Sequence, residues 1–257
     1  MPVTPSKNRL FGVDIGGSGI KGAPVHVKKG QLLADRHRIP TPQPATPKAV
    51  AETVAAVMEA HGWSGPIGCT VPARVKNGTT ETAVNIDESW RGCNAEKVIS
   101  KATGGRVTLL NDADAAGIAE MKFGAGRKKK GTVLMLTFGT GIGSALFHDG
   151  VLVPNIELGS VRWEKDKILE RFAADSARTR DHLTWEKWAT ARVQPALEYL
   201  EFLFAPDLII VGGGVSNPKK WSQFADLLHT KARLRPATLG NEAGIVGAAL
   251  AAREREG

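Results

Sequence analysis

The stretch RLFGVDIGGSGIKGAPVHV, residues 9–27, decides the fold. Its first seven residues form an apolar run that predicts a buried β-strand. GGSGIKG then forms a glycine turn, and APVHV predicts a second strand. Residues 131–153, GTVLMLTFGTGIGSALFHDGVLV, repeat this order of strand, glycine turn and strand. Two copies of one unit predict an α/β protein with two similar lobes and a cleft between them.

The remaining segments alternate between helical and strand patterns, as an α/β protein requires. The proline-rich stretch PTPQPATP, residues 40–47, excludes a helix until it ends. Helices are predicted at Lys48–Ala60, 113–123, Gln194–Phe204 and 241–256, and strands at 66–71, 106–112 and 206–212.

Composition limits the possible function classes. The chain has 257 residues, a net charge of +8 and only two cysteines, Cys69 and Cys93, which exclude a disulfide framework and a four-cysteine zinc site. The short polar N-terminus and the lack of an 18-residue apolar run argue against a signal peptide or a membrane partner, and we expect a cytoplasmic protein. The positive charge indicates an anionic partner. Nucleic acid is not expected, because no helix-turn-helix, zinc-finger or RNA-binding signature occurs.

Three glycine turns point to phosphate, because glycine lets backbone N–H groups approach an oxyanion without a Cβ clash. A tight β-hairpin would explain any one of them, but two on apolar strands with a hydroxyl residue, and a third, favour phosphoryl transfer. None matches the Walker A loop or the dinucleotide fingerprint. The predicted phosphate-binding residues are Asp14, Gly16, Gly17, Ser18, Lys21, Gly139, Thr140, Gly141, Gly143, Gly212, Gly213 and Gly214. Asp14 is also expected to hold Mg²⁺ through water.

Four cations, Arg127, Lys128, Lys129 and Lys130, immediately precede the strand of the second glycine turn. One interpretation is a solvated loop without a role. The other is a track that guides an anion longer than a nucleotide, such as inorganic polyphosphate. The residues by themselves favour the solvated loop.

These motifs resemble the ROK family of actin-like sugar kinases, and within it the actinobacterial polyphosphate glucokinase branch. The matching stretches are GVDIGGSGIKG, NDADAAGIAE, LTFGTGIGSAL, LVPNIELG, IIVGGGVS and NEAGIVGAA, which span almost the whole chain. The resemblance implies an actin-like fold of two ribonuclease-H-like lobes, 1–111 completed by the helix at 242–257, and 112–241. It also implies a hexose kinase that phosphorylates the 6-hydroxyl of glucose from polyphosphate, ATP or both, and a homodimer.

The resemblance also assigns roles in the sugar site. Asp112 is the expected catalytic base, although an N-cap of the following helix would equally explain it, with Asp114 as a rival cap. Asn111, Asp112, Glu157 and Ser160 are expected to bind sugar hydroxyls, and Asn85 is expected to lie near the sugar. Trp90 either flanks the sugar or packs in the core, and we favour the core.

The chain departs from the family at two places in the sugar site. ELGS has Ser160 where the family has histidine, and the family's zinc-binding cysteines are missing, so no zinc is expected. The family's Phe-Pro-Gly loop reads VPAR here, so Ala73 replaces a glycine near the sugar and Arg74 adds a charge. These changes leave open another hexose, such as mannose. Two alternatives to the polyphosphate kinase therefore stand, an ATP-only glucokinase and a weakened sugar-binding sensor.

Overall fold

The computed structural model describes residues 4–83, 86–162 and 168–254. The chain divides into two units, Met1–Ala119 with Glu242–Gly257, and Glu120–Asn241. The first division, after Ala119, falls inside the helix Asp112–Phe123, whereas the sequence placed this boundary at 111/112. The second division follows Asn241.

The first unit is a six-stranded mixed sheet with helices. Its strands are β1 (Arg9–Ile15), β2 (Ile20–His26), β3 (Gln31–Leu32), β4 (His37–Ile39), β5 (Ile67–Val71) and β8 (Val107–Asn111), and a separate small hairpin holds β6 (Val75–Lys76) and β7 (Thr79–Thr80). Its helices are α1 (Pro47–Glu59), α2 (Ala95–Thr103), α3 (Asp112–Phe123), which crosses into the second unit, and α9 (Ala243–Glu254).

The strand order of this sheet is β3-β2-β1-β5-β8, with β4 paired to β2. β1 and β2 are antiparallel, whereas β5 and β8 run parallel to β1, so β1, β5 and β8 end at the same edge. β5 is buried along its whole length, as expected for a parallel strand covered on both faces. β2 begins at Ile20, three residues earlier than predicted, because the glycine turn is shorter than its glycine content suggests.

Helix α9 packs directly on the sheet of the first unit, as the resemblance implied. A Cβ built on Gly12 or on Gly68 would overlap the carbonyl oxygens of Ile245 and Ala248 in this helix. Ile245 and Leu250 are fully buried, and burying each contributes about 1.5–3 kcal/mol. The end of the chain is therefore part of the first unit's core.

The second unit repeats the same sheet. Its strands are β9 (Thr132–Phe138), β10 (Ile142–His148), β11 (Val151–Val153), β12 (Leu208–Gly212) and β13 (Arg233–Pro236), and its helices are α4 (Leu169–Ala173), α5 (Asp175–Arg180), α6 (Trp185–Trp188), α7 (Gln194–Phe204) and α8 (Pro218–Trp221). The strand order β11-β10-β9-β12-β13 reproduces that of the first sheet, with an antiparallel hairpin followed by two parallel strands. This match confirms the duplication predicted from the sequence.

An aromatic cluster fills the core of the second unit. Trp188 is fully buried, packs edge-on against Phe138 and Phe224, and donates from Nε1 to the Ala173 carbonyl at 2.9 Å. Trp185 stacks on Phe224 at a centroid distance of 5.5 Å. Both tryptophans therefore belong to the core of this unit. Across the described ranges, no helix has the length and apolar character needed to cross a membrane.

Candidate functional site

Asp14 lies near the end of β1, where three neighbours fix its carboxylate. Thr70 Oγ1 donates to Oδ1 at 2.9 Å, and Lys21 Nζ lies 3.7 Å from Oδ2. A Cβ on Gly244 of α9 would lie 3.3 Å from Asp14 Cγ, so a larger residue there would press on the carboxylate. The Asp14 side chain remains 22% exposed, so it is held in place yet reachable.

This carboxylate suits Mg²⁺, which in kinase sites takes one or two carboxylates and completes its shell with water and substrate phosphates. A protein cage is not required for that mode of binding. Within 4–83, 86–162 and 168–254 there is no group of three or more His, Cys, Asp or Glu side chains that could hold a metal.

The first glycine turn joins β1 to β2 beside Asp14. Gly16 N donates to Gly19 O at 3.2 Å, which closes the turn, and Gly17 and Ser18 form its exposed tip. The structure thus brings the predicted residues of this turn together with Asp14 and Lys21. It also adds Arg38, whose guanidinium donates to the Ser18 carbonyl at 2.7 Å, and this residue carried no motif in the sequence.

Asn111, at the end of β8, caps helix α3. Its Oδ1 accepts hydrogen bonds from Ala113 N at 2.8 Å and from Asp114 N at 3.1 Å. Its Nδ2 donates to the Ala73 carbonyl at 3.2 Å. The alternative in which Asp112 or Asp114 provides the cap is therefore wrong, because Asn111 occupies the N-cap position and makes both capping bonds.

Asp112 is the first residue of α3 and is half-buried. Its Oδ1 accepts from Ala113 N at 2.8 Å, which holds the carboxylate at the edge where the parallel strands end. A carboxylate at a helix N-terminus is favoured by the helix dipole. The two neighbouring residues therefore differ in role. The Asn111 amide binds backbone groups, and Asp112 provides a carboxylate.

The second glycine turn joins β9 to β10 in the second unit. Gly139 N donates to Gly141 O at 3.0 Å, and Ser176 holds the far side of the turn by donating from Oγ to Thr140 O at 2.6 Å. Glu170 Oε2 accepts from Ile142 N at 3.3 Å and fills the space beside Gly141. No sequence signal pointed to Glu170, which lies far along the chain from the turn.

The predicted glycines of this turn differ in their surroundings. Among the residues that the structure describes, none has an atom within 4 Å of a Cβ built on Gly139, so the space beside this glycine is open to a ligand. Gly143, in contrast, lies inside β10 and pairs with Thr137. The position of Gly143 is therefore explained by strand pairing between β9 and β10 and not by contact with a phosphate.

The third glycine turn follows β12 and lies beside the second. β12 runs parallel to β9 with Gly212 opposite Thr137, and a Cβ on Gly213 would lie 2.5 Å from the Phe138 carbonyl. Gly213 also has a φ of 79°, which favours glycine. Gly214 is exposed, and the half-buried Lys220 places its ammonium 3.9 Å from the position of a Cβ there.

Glu157 begins the short helical turn Leu158–Ser160 and is half-buried, whereas Ser160 is exposed. Ser144 of β10 anchors this loop because its hydroxyl donates to Ile156 O at 2.5 Å and accepts from Leu158 N at 2.9 Å. The sugar-loop candidate Glu157 is therefore attached to the same strand that leaves the second glycine turn.

The four cations lie at the other end of β9 from its glycine turn. Arg127, Lys128 and Lys130 are exposed in the loop that enters the strand, and the seven residues of β9 span roughly 23 Å. The cluster and the second turn are therefore separated by the whole length of β9, although the cluster immediately precedes this strand in the sequence. Asp149 lies near the cluster and accepts from Gly131 N at 2.9 Å. That hydrogen bond lowers the pKa of Asp149, and the charge of Lys130 lowers it further.

The remaining predicted residues lie around the β5–β6 loop. Arg74 sits after Ala73, and its Nη2 is 3.9 Å from Glu81 Oε2. Trp90 is fully buried and donates from Nε1 to the Ala45 carbonyl at 2.7 Å, so it packs in the core as favoured. Asn85 lies outside the described residues.

Comparisons with known proteins identify the family of this chain. A family model described as ROK family matches residues 10–154. The chain is 48% identical over 251 residues to the polyphosphate glucokinase of Mycobacterium tuberculosis (strain CDC 1551 / Oshkosh), covering 97% of this chain and 93% of the relative. The crystal structure of the inorganic polyphosphate/ATP-glucomannokinase from Arthrobacter sp. strain KM matches with a TM-score of 0.91 and 44% identity, covering 96% and 99% of the two chains. A ROK family glucokinase from Streptomyces griseus, in complex with glucose and AMPPNP, matches with a TM-score of 0.78 and 25% identity, covering 96% and 99%.

Proposed function

The chain belongs to the ROK family, and from that membership we propose that it is a polyphosphate- and ATP-dependent glucokinase. It transfers one phosphoryl group from the donor to the 6-hydroxyl of glucose. The likeness to a polyphosphate glucokinase and to a polyphosphate/ATP-glucomannokinase extends over nearly the full length of each chain. It supports polyphosphate and ATP as phosphoryl donors and glucose as the acceptor. Mannose is the second acceptor that the glucomannokinase suggests.

One observation carries the assignment of the base. Asn111 provides the cap of α3, so the helix does not need Asp112 for that purpose. In the reaction, the Asp112 carboxylate takes the proton of the sugar 6-hydroxyl as that oxygen bonds to the terminal phosphorus. The bond from this phosphorus to its bridging oxygen breaks, and the donor leaves one phosphoryl group shorter.

Asp14 holds Mg²⁺ through water in this proposal, because it is a fixed and reachable carboxylate at a phosphate turn. Mg²⁺ held at this carboxylate would supply positive charge next to the phosphate oxygens. Lys21, Gly16, Gly17 and Ser18 bind phosphoryl oxygens at the first turn. No zinc takes part, because the family's cysteines are missing from the sequence.

The donor chain is held by the second and third glycine turns, through Gly139, Thr140, Gly141, Gly213 and Gly214. The open space beside Gly139 and the Lys220 ammonium beside Gly214 support this assignment. Gly143 and Gly212 act indirectly, as paired strand residues that set the position of these turns.

The sugar hydroxyls are bound by Glu157, Asn111 and Asp112, with Ser160 and Asn85 nearby. A site that hydrogen-bonds a hydroxyl rejects a sugar that lacks it, because a buried polar group is then left unpaired. The main role of Asn111 is to hold the start of α3 in place, because its amide already binds the Ala73 carbonyl and the first backbone N–H groups of this helix.

A sugar-phosphorylation assay with Mg²⁺ and glucose tests the proposal, with long-chain polyphosphate and ATP compared as donors. We expect turnover with both donors and its loss in Asp112→Asn, which keeps the size of the side chain. Turnover with ATP alone would favour the ATP-only glucokinase. Glucose binding without turnover by either donor would favour a sensor, and the proposed enzyme would be wrong.

The chain is further proposed to form homodimers in the cytoplasm. Both cysteines are free thiols, which suits a reducing compartment. Helix α7 exposes Phe202 at 85% together with Tyr199 and Leu203, an apolar stripe that a second copy would cover. Light scattering of the wild type and of Phe202→Glu tests this assembly, and a monomeric wild type would contradict it.

A further inference from the structure

Arg38 of β4 lies over the first glycine turn. It pairs with Lys21 across the β2–β4 ladder, and its Nη2 donates to Ser18 O at 2.7 Å. A Cβ built on Gly19 would lie 2.5 Å from Arg38 Nε, so the guanidinium rests against the bare backbone of this glycine. Any larger residue at position 19 would displace it. The position of the guanidinium is thus built into the turn.

Most carbonyl oxygens of the same turn already accept a hydrogen bond from a protein N–H or O–H group. Ser18 O accepts from Arg38, Gly16 O accepts from Thr41 Oγ1 at 2.5 Å, and Gly19 O accepts from Gly16 N. Carbonyl oxygens repel a phosphate, whereas N–H groups attract it. Arg38 and Thr41, from one short segment, therefore leave the turn better suited to an anion than its glycines alone would make it.

Charge balance separates Arg38 from its neighbour Lys21. Lys21 lies 3.7 Å from Asp14, so its charge is matched by a carboxylate. The Arg38 side chain is exposed, and among the residues that the structure describes it forms no ion pair. A guanidinium bound by one N–H to a carbonyl keeps the rest of its planar fork for a second partner. That fork matches two oxygens of one phosphoryl group.

We propose that Arg38 binds the phosphoryl donor. Its guanidinium hydrogen-bonds to phosphoryl oxygens of the donor at the first glycine turn while it keeps its hydrogen bond to the Ser18 carbonyl. This inference rests on the proposed function and adds a residue to it. The ligand class is a condensed phosphate, whether free polyphosphate or the phosphate tail of a nucleotide. Arginine suits this role better than lysine because the contact is planar and has two points.

Three variants test the proposal. Arg38→Met removes the charge and keeps an unbranched stem over Gly19, and Arg38→Lys keeps the charge without the fork. Lys29→Met is the matched control, because it removes one exposed cation beyond the opposite end of β2. The measurements are KM for tripolyphosphate, KM for glucose, kcat, and the rise in Tm that tripolyphosphate causes in the intact protein.

We expect Arg38→Met to raise the KM for tripolyphosphate roughly ten-fold to one-hundred-fold, as for lost hydrogen bonds to a charged group, and to abolish most of the Tm rise. The KM for glucose stays unchanged, Arg38→Lys recovers only part of the loss, and Lys29→Met behaves as the wild type. Equal losses for both substrates with a lower ligand-free Tm would show a structural clamp and overturn the proposal. An unchanged donor KM would overturn it too.

The binding measurement keeps this inference separate from the proposed function. A wild type without turnover, whose tripolyphosphate-induced Tm rise is nevertheless lost in Arg38→Met, would contradict the kinase and support the anion site. A wild type that turns over glucose, with a donor KM that Arg38→Met leaves intact, would support the kinase and overturn the role of Arg38.

Discussion

The carboxylate of Glu170 occupies the space that a side chain at Gly141 would need. A Cβ built on Gly141 would overlap Glu170 Oε2, and the same oxygen accepts from Ile142 N at 3.3 Å. The lack of a side chain at Gly141 therefore leaves room for a protein carboxylate beside the turn. Glu170 links α4 to the glycine turn and so helps to fix its shape.

Gly141→Ala is expected to displace Glu170 and to lower both stability and donor binding. Glu170→Ala alone loses the bond to Ile142 but opens the space that the methyl group added by Gly141→Ala needs. The double variant should therefore be less impaired than the two single effects combined, with an interaction free energy of about 0.5–3 kcal/mol. Urea unfolding of the four proteins measures this coupling, and strictly additive effects would contradict the contact.

Asn111→Ala is expected to destabilise the protein by about 1–2 kcal/mol, because α3 loses its N-cap. Asn111→Ser keeps a capping oxygen and should recover most of this stability, although it loses the donor to Ala73. Urea denaturation compares the two variants. Equal destabilisation by alanine and serine would show that the bond to Ala73, rather than the cap, is what α3 requires.

The sequence predicts the framework of this protein because its signals are local. The two apolar strands with glycine turns, 9–27 and 131–153, give the duplicated sheet, and α7 has the predicted bounds Gln194–Phe204. The turn glycines, Asp14 and Asp112 are also recognisable because each lies at or just after the end of a buried strand. Short-range patterns of this kind need no knowledge of tertiary contacts.

The contacts that shape the site could not be predicted in this way. Arg38, Thr70 and Glu170 reach their turns from segments distant in the sequence, and none lies in a motif. The distance between the four cations and the second turn follows from the length of β9. Lys130 adjoins the strand of the second turn in sequence, but a strand carries its two ends apart in space.

The cation cluster is expected to act only on long donors, because β9 separates it from its glycine turn. The double variant Lys128→Gln/Lys130→Gln should raise the KM for long-chain polyphosphate and weaken its salt dependence. The KM values for ATP and tripolyphosphate should stay unchanged, since these donors cannot span roughly 23 Å. Lys97→Gln/Lys101→Gln, which removes two exposed cations from α2, is the matched control. An unchanged KM for the long chain would leave the cluster as a solvated loop.

His61 is expected to make the protein less stable in mild acid. Burial is the largest cause that lowers the pKa of His61 below its ordinary 6.5, the His37 charge lowers it further, and a hydrogen bond with Gly22 opposes both. Its Nε2 is buried without a hydrogen-bond partner among the described residues, and its ring packs on Phe11. The unfolded chain therefore binds the proton more readily, and stability falls as the pH drops below 6.5.

His61→Gln removes this titration, so its Tm should fall less than that of the wild type between about pH 7.5 and about pH 5.5. His229→Gln, at an exposed position, is the control and should follow the wild type. Parallel Tm profiles for His61→Gln and the wild type would contradict a role for this histidine.

The carboxylate of Glu120 accepts hydrogen bonds from backbone near both places where the chain passes between the units. Glu120 is fully buried at the start of the second unit, and its carboxylate accepts from Ala125 N at 2.8 Å, Thr238 N at 2.8 Å and Leu239 N at 2.7 Å. Thr238 and Leu239 precede the return of the chain to the first unit after Asn241. One acid thus satisfies three backbone donors near both crossings.

Glu120→Gln is expected to destabilise the protein by about 2–3 kcal/mol, although it is nearly isosteric. Glutamine offers one oxygen where the backbone needs two, and its amide would face N–H groups that cannot accept a hydrogen bond. Glu59→Gln, at an exposed position on α1, should change stability by less than about 0.5 kcal/mol. Urea unfolding of both variants measures the difference. A Glu120→Gln variant as stable as Glu59→Gln would mean that the three backbone donors do not depend on the charge and second oxygen of this acid.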